Sequence, residues 1–172
     1  MYRTVTACFT GHRPEKLPWG SDESDPRCYA LKERLGDIVE ALYVSGIRHF
    51  ICGMARGCDM YFCEAVIALR EEREDVTLEA AIPFDRQSEK WSAQDKKRYY
   101  YLTAQCDRQT VLQHGYSKDC FLRRNQYMVD SSSVLVAVFD GTVGGTSQTV
   151  NYASREGLEV ISINPYELYT KP

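Results

Sequence analysis

Six consecutive apolar residues, Val134-Leu135-Val136-Ala137-Val138-Phe139, constrain this chain more than any other stretch. They sit between Ser133 and Asp140, so the run is too short for a helix, and it shows no apolar–polar alternation. A short unbroken run rich in β-branched residues is a strand buried on both faces. Such a strand needs a parallel sheet with helices packed on either side.

The rest of the chain supplies those partners. Strands are expected over 4–10 (TVTACFT), 47–52 (IRHFIC), 76–84 (VTLEAAIPF), 133–140 (SVLVAVFD) and 159–164 (EVISIN), with a weaker one over 108–113. Between them, residues 29–46 place Leu31, Leu35, Ile38, Val39 and Leu42 at helical spacing, with Gly46 as the stop. Further helices are expected over 59–74, 88–106, 118–132 and 146–157. In the charged, aromatic segment 88–106, some of Trp91, Tyr100 and Leu102 should pack on the sheet while the lysines stay solvated. Strands alternating with helices imply right-handed crossovers. The expected architecture is a single α/β domain over 1–172, a Rossmann-like three-layer fold with a mainly parallel central sheet.

Composition sets few further limits. With 44% hydrophobic and 26% charged residues, the 172-residue chain is of ordinary globular make-up. A net charge of −3 argues against wholesale coating of nucleic acid. Seven cysteines cannot all pair within one chain, none lies in a CxxC, and Cys8, Cys52 and Cys63 fall in apolar runs. Buried free thiols in a reducing compartment are expected. His12, His49 and His114 are scattered, which gives no zinc-like spacing and no expected metal. No leader-like segment or long apolar span stands out, so the expectation is a cytoplasmic protein without a membrane partner.

In an open α/β sheet, ligands bind beyond the carboxyl ends of the strands. Here those ends carry TGHRP (10–14), GMARGCD (53–59), PFDR (83–86) and DGTVGGTSQT (140–149). In the last, Gly141, Gly144 and Gly145 permit close backbone approach, Thr146, Ser147 and Thr149 offer hydroxyls, and the following helix presents free N–H groups. That describes a phosphate cradle, or a turn closed by a Thr146 or Ser147 cap. In GMARGCD, Gly53 and Gly57 shape the turn and Asp59 is placed to cap the helix. Arg56 then suits an oxyanion, or a salt bridge to a nearby Glu. In TGHRP, Gly11 and Arg13 flank His12, which is either a phosphate donor and acid–base group or a structural hydrogen-bonding residue. Neither GxGxxG nor GxxxxGK[ST] occurs after a strand, which disfavours NAD dehydrogenases and P-loop ATPases.

FTGHRPEKL, CGMARGCD, RRNQYMVDSSSVLVAVFDG and GGTSQTVNYA, in that order along nearly the whole chain, resemble the SLOG superfamily of Smf/DprA and LOG proteins, and most closely its YpsA-like branch. The resemblance implies a Rossmann-like fold binding a nucleotide or nucleotide-derived ligand, such as a nucleoside monophosphate, ADP-ribose or an NAD-like molecule. No obligatory cofactor is implied. The expected ligand-binding set is Gly11, His12, Arg13, Gly53, Arg56, Gly57, Asp59, Asp140, Gly144, Gly145, Thr146 and Ser147.

The LOG branch implies an N-glycosidase of nucleoside 5′-monophosphates that uses an arginine and the glutamate of PGGxGTxxE. Arg123 or Arg124 matches the arginine, with Met128 following, but Asp140 stands in place of the proline and Gln148 or Thr149 in place of the glutamate. Glutamine cannot supply a carboxylate's chemistry. The catalytic candidates are therefore Arg124 with Asp59, Glu64 or Asp140. The DprA branch implies single-stranded nucleic acid, for which Tyr116 is the stacking candidate. A homodimer through the apolar stretch 166–172 is a further expectation.

Overall fold

The computed structural model describes residues 2–168. Its elements are β1 (Thr6–Gly11), α1 (Pro26–Val44), β2 (His49–Cys52), α2 (Cys58–Glu72), β3 (Thr77–Ile82), α3 (Ala93–Gln105), β4 (Arg108–Val111), α4 (Cys120–Asp130), β5 (Val134–Val138), α5 (Gly145–Arg155) and β6 (Glu159–Ile163). The six strands form one sheet in the order β4-β3-β2-β1-β5-β6, and every pairing is parallel. The fold is therefore α/β, Rossmann-like and three-layered, as expected.

β5 is buried at every position and lies beside β1 in the middle of the sheet. The chain winds outward from β1 through β2, β3 and β4, then crosses back over β1 to lay down β5 and β6. Helices α1, α2 and α3 pack together on one face, and α4 with α5 on the other. The first face carries the larger core, centred on Phe9, Phe50 and Phe62, with Phe9 stacked on Phe62 at 4.6 Å. The second face is closed by Cys8, Ile51, Met128, Leu135 and Ala153.

Several boundaries differ from the sequence expectation for local reasons. α1 starts at Pro26, three residues before position 29, because the Asp25 carboxylate accepts the Arg27 N–H at 2.8 Å and proline fits the first helical position. β1 starts at Thr6, because Arg3–Val5 form a 3-10 turn. Residues 88–92 are a turn, and α3 begins after Ser92, whose hydroxyl accepts the Asp95 N–H. On α3 it is Tyr99 and Leu102 that are buried, with Trp91 packed edge-on to Tyr99, whereas Tyr100 is 61% exposed. The helical phase assigns the core to Tyr99 and turns Tyr100 outward.

All seven cysteines are unpaired, and all but Cys106 are buried. Among the described residues, no helix is long and apolar enough to cross a membrane and no three His, Cys, Asp or Glu side chains are grouped to hold a metal. Of the expected dimer stretch, Tyr166 is exposed, and 169–172 lie outside the described residues.

Candidate functional site

β1 and β5 are neighbours whose onward connections leave in opposite directions, so the loops after them diverge and leave a crevice. A cleft of about 410 Å³ occupies that point. Its walls are the loop after β1 (Gly11, His12, Arg13, Glu15, Lys16), the loop after β5 with the start of α5 (Thr142, Gly144, Gly145, Thr146), and one side of α4 (Phe121, Arg124, Asn125, Met128). Ala55 reaches it from the loop after β2 and Asp59 from the first turn of α2.

Arg124 is the floor. It is only 6% exposed, donating Nη1–H to the Gly53 carbonyl and Nε–H to Asn125 Oδ1 at 2.7 Å. It forms no salt bridge with any described carboxylate. Burial lowers its pKa, and the field of Asp59 opposes that shift. Gly53 makes this placement possible, since a Cβ there would stand 2.1 Å from Arg124 Nη1. The guanidinium also lies 5.9 Å from the Phe121 ring centre, and Arg13 lies 5.0 Å from the same ring. Neither Arg13 nor Lys16 has an ion-pair partner among the described residues, and both are exposed at the mouth. The Lys16 ammonium hangs over Gly144, 2.8 Å from where a Cβ would stand.

Opposite them, α5 opens at Gly144. The Gly144 N–H donates to Ser147 Oγ at 2.9 Å, while the amides of Gly145 and Thr146 have no intrahelical acceptor at this end. Helix N-termini of this kind attract anions. Thr149 turns inward and donates to the Gly145 carbonyl, and Gln148 is exposed, so neither takes up a glutamate's position in the cleft.

His12 and Asp140 pair across the β1–β5 junction. His12 is 3% exposed, and its Nε2 lies 2.9 Å from Asp140 Oδ1. The same oxygen accepts from the Thr142 hydroxyl at 2.6 Å and the Thr142 N–H at 3.0 Å. These donors, Thr142 first and His12 after it, hold the Asp140 carboxyl far below the usual range. An ionised acceptor has no proton to give, so Nε2 carries the hydrogen; the Asp140 N–H, 3.2 Å from Nε2, then finds no lone pair there.

Asp59 is 4% exposed and accepts the Ala55 N–H at 2.9 Å. It therefore does not cap α2, whose N-cap is Gly57; it ties the preceding loop to the helix instead. Burial raises its pKa, against the pull of Arg124.

Arg56, Gly57 and Glu64, all expected at the site, are placed elsewhere. Arg56 lies on the far side of the loop, paired with Glu15 and 4.0 Å from Asp95, and lines a separate hollow with Arg98. Glu64 faces α3, where Arg98 bridges it and Glu23. Gly11 and Gly57 act through closeness: a Cβ on Gly11 would stand 2.7 Å from that of Cys58, and one on Gly57 2.9 Å from Pro14 Cδ. Tyr116 is 67% exposed and outside the cleft, edge-on to Phe84, which is edge-on to Phe121. Lys16, Phe121 and Asn125 line the cleft but were not among the expected residues. Lys16 had a signal in its place after β1, whereas nothing in α4's pattern distinguishes its cleft side.

A sequence model of the YspA SLOG family matches residues 7–168. The SPbeta prophage-derived protein YoqJ of Bacillus subtilis (strain 168) is 29% identical over 144 residues, 76% of this chain and 84% of that one. A UPF0398 protein of Bacillus thuringiensis (strain Al Hakam) is 25% identical over 160 residues, 91% of this chain and 86% of its own. Among solved structures, TM1055 superposes with a TM-score of 0.55 at 13% identity, over 91% of this chain and 72% of that one. The single-stranded-DNA-binding DNA processing protein A of Helicobacter pylori superposes with a TM-score of 0.61 at 17% identity, over 93% and 65%.

Proposed function

The chain belongs to the YspA SLOG family, and from that premise we propose that it binds a nucleotide or nucleotide-derived anion in the cleft between β1 and β5. The observation that carries this reading is Arg124, a buried guanidinium without a carboxylate partner at the floor of an open cleft. Taking a cation out of water is costly; two hydrogen bonds and the field of Asp59 offset part of that cost, and an arriving anion offsets more. Arg13, Lys16 and the free amides of α5 surround the same space and complement phosphate oxygens. A cleft of about 410 Å³ is the size of a small-ligand pocket.

The test is thermal stability of the chain with AMP, ADP, ADP-ribose, NAD and a short single-stranded oligonucleotide. A ligand at about 100 times its Kd adds about 2.7 kcal/mol. The expected result is stabilisation by a mononucleotide or ADP-ribose that is lost in Arg124→Ala and weakened in Arg13→Ala and Lys16→Ala. Arg56→Ala, outside the cleft, keeps it. The exposed Arg13 and Lys16 variants keep the test readable if Arg124→Ala folds poorly. Absence of a shift by any of the four nucleotide-type ligands overturns the reading, and a shift from the oligonucleotide alone favours the activity named for the Helicobacter protein.

Asp59 favours one second reading, hydrolysis of the bound ligand at its N-glycosidic bond. It is a buried carboxyl lining the cleft, with its pKa raised by burial, as a general acid requires. Release of free base from a stabilising nucleotide, abolished in Asp59→Asn, is the outcome this reading requires.

A further inference from the structure

A second cavity of about 460 Å³ lies at the opposite edge of the sheet, where β2, β3 and β4 begin. Its floor is the sheet face toward α4. His49 registers with Thr77, and Glu79 registers with Arg108, so these side chains share that face. A parallel sheet covered on both faces calls for apolar residues at such positions. This one carries a buried carboxylate instead.

Glu79 is 2% exposed. Its Oε1 accepts the hydroxyls of Thr110 and Tyr127, each at 2.6 Å, and its Oε2 accepts His49 Nε2–H at 3.0 Å. The other His49 nitrogen is 2.8 Å from Thr77 Oγ1. Replacing a buried ionic network by apolar residues is often neutral or stabilising, so folding alone does not call for this one. Both imidazole nitrogens and both hydroxyl protons are engaged inside the network. What it still offers the cavity is acceptor capacity: a lone pair on Oε2 and those on the Tyr127 and Thr77 oxygens. The inner wall therefore suits a hydrogen-bond donor, and next to a carboxylate a protonated amine above all.

The rim carries the Arg48–Asp75 ion pair, closed on itself at 2.7 Å, and one further cation. Arg108 is exposed at the mouth and has no hydrogen-bond or ion-pair partner among the described residues. Although Glu79 and Arg108 are neighbours on adjacent strands, they do not pair with each other. Val5 and Ile51 add apolar surface on the side of Glu79 away from Arg108. Two side chains, His49 and Glu79, do not make a metal ligand set, and none of three or more occurs among the described residues.

We propose that this cavity binds a small amino-acid-type zwitterion, with its ammonium group toward Glu79 and Tyr127 and its carboxylate on Arg108. Neighbouring parallel strands lie about 4.8 Å apart, which suits the short separation of opposite charges in an α-amino acid. The site is independent of the β1–β5 cleft and stands whether or not that cleft takes a nucleotide.

Calorimetric titration of the whole chain with each of the common L-amino acids, and with methylammonium and acetate as half-ligands, tests it. At least one amino acid should bind saturably below about 10 mM, more tightly than either half-ligand. Arg108→Ala, an exposed change on an edge strand, should weaken that binding by at least about tenfold. Arg56→Ala, outside both this cavity and the β1–β5 cleft, should leave it unchanged. Glu79→Gln removes the inner charge, but that variant can fail to fold, so Arg108→Ala is the deciding one. No saturable binding by any amino acid, equal binding by a half-ligand, or binding that survives Arg108→Ala overturns the proposal.

Discussion

Arg56 and Arg124 show what a single residue's surroundings decide. Both follow local patterns that suit an oxyanion, yet Arg56 meets Glu15 on the solvent side while Arg124 is carried by α4 under the loop after β2. The physical difference is desolvation: an exposed, paired arginine gains little from a ligand, and a buried, unpaired one gains much. Glu79 is the matching case for a carboxylate. Burial pushes its pKa up, but the donors from His49, Thr110 and Tyr127 outweigh that and hold it down at about 2, against an ordinary 4.5. A folded pKa below the unfolded one stabilises the protein above the unfolded value, and the gain is lost as pH falls through the window to the folded value. Wild type should therefore lose up to about 3 kcal/mol relative to Glu79→Gln between about pH 5 and pH 2, a difference readable by urea unfolding at stepped pH.

Element ends place the loops of the β1–β5 cleft. The N-cap of α2 is Gly57, whose φ of 84° is open to glycine and strained for other residues. The same glycine lies against Pro14 and the His12 carbonyl, and that carbonyl accepts the Cys58 N–H at 3.3 Å. The start of α2 thus holds the loop that carries His12, Arg13 and Lys16. Gly57→Ala adds both backbone strain and a contact 2.9 Å from Pro14 Cδ. We expect it to cost about 1–3 kcal/mol in denaturant unfolding and to reduce nucleotide-induced stabilisation without any contact to ligand. Met54, at φ 56°, stores similar strain three residues earlier in the same loop. At α5 the glycine pair Gly144–Gly145 serves differently: Gly145 has open space around it, so its use lies in exposing amides.

On the scale of the whole molecule, the two helical layers bury the thiols and leave Cys106 as the half-buried one. Burial pushes the Cys8 thiol up to about 12, whereas Cys106 is lowered by its hydrogen bond with Cys63. A thiol reagent on the native chain should label Cys106 first and the other six slowly; Cys106→Ser should remove the fast phase, and unfolding should expose all seven. Fast labelling of more than one thiol would mean that the layers are looser than described. The alternation of strands and helices, the buried β5 and the gathering of glycine, arginine and hydroxyl residues at the strand ends were legible in the sequence, because each rests on local periodicity or on the chirality of crossovers. The strand order was not, and with it went the location of the β1–β5 crevice, the membership of Lys16 and Phe121, the turning away of Arg56 and Glu64, and the polar floor around Glu79. Those depend on which residues distant in the chain become neighbours. Gly53 and Arg124 are 71 positions apart, and Glu79 and Tyr127 are 48, so only the tertiary fold decides whether a charge ends in water, in an ion pair or under a cleft.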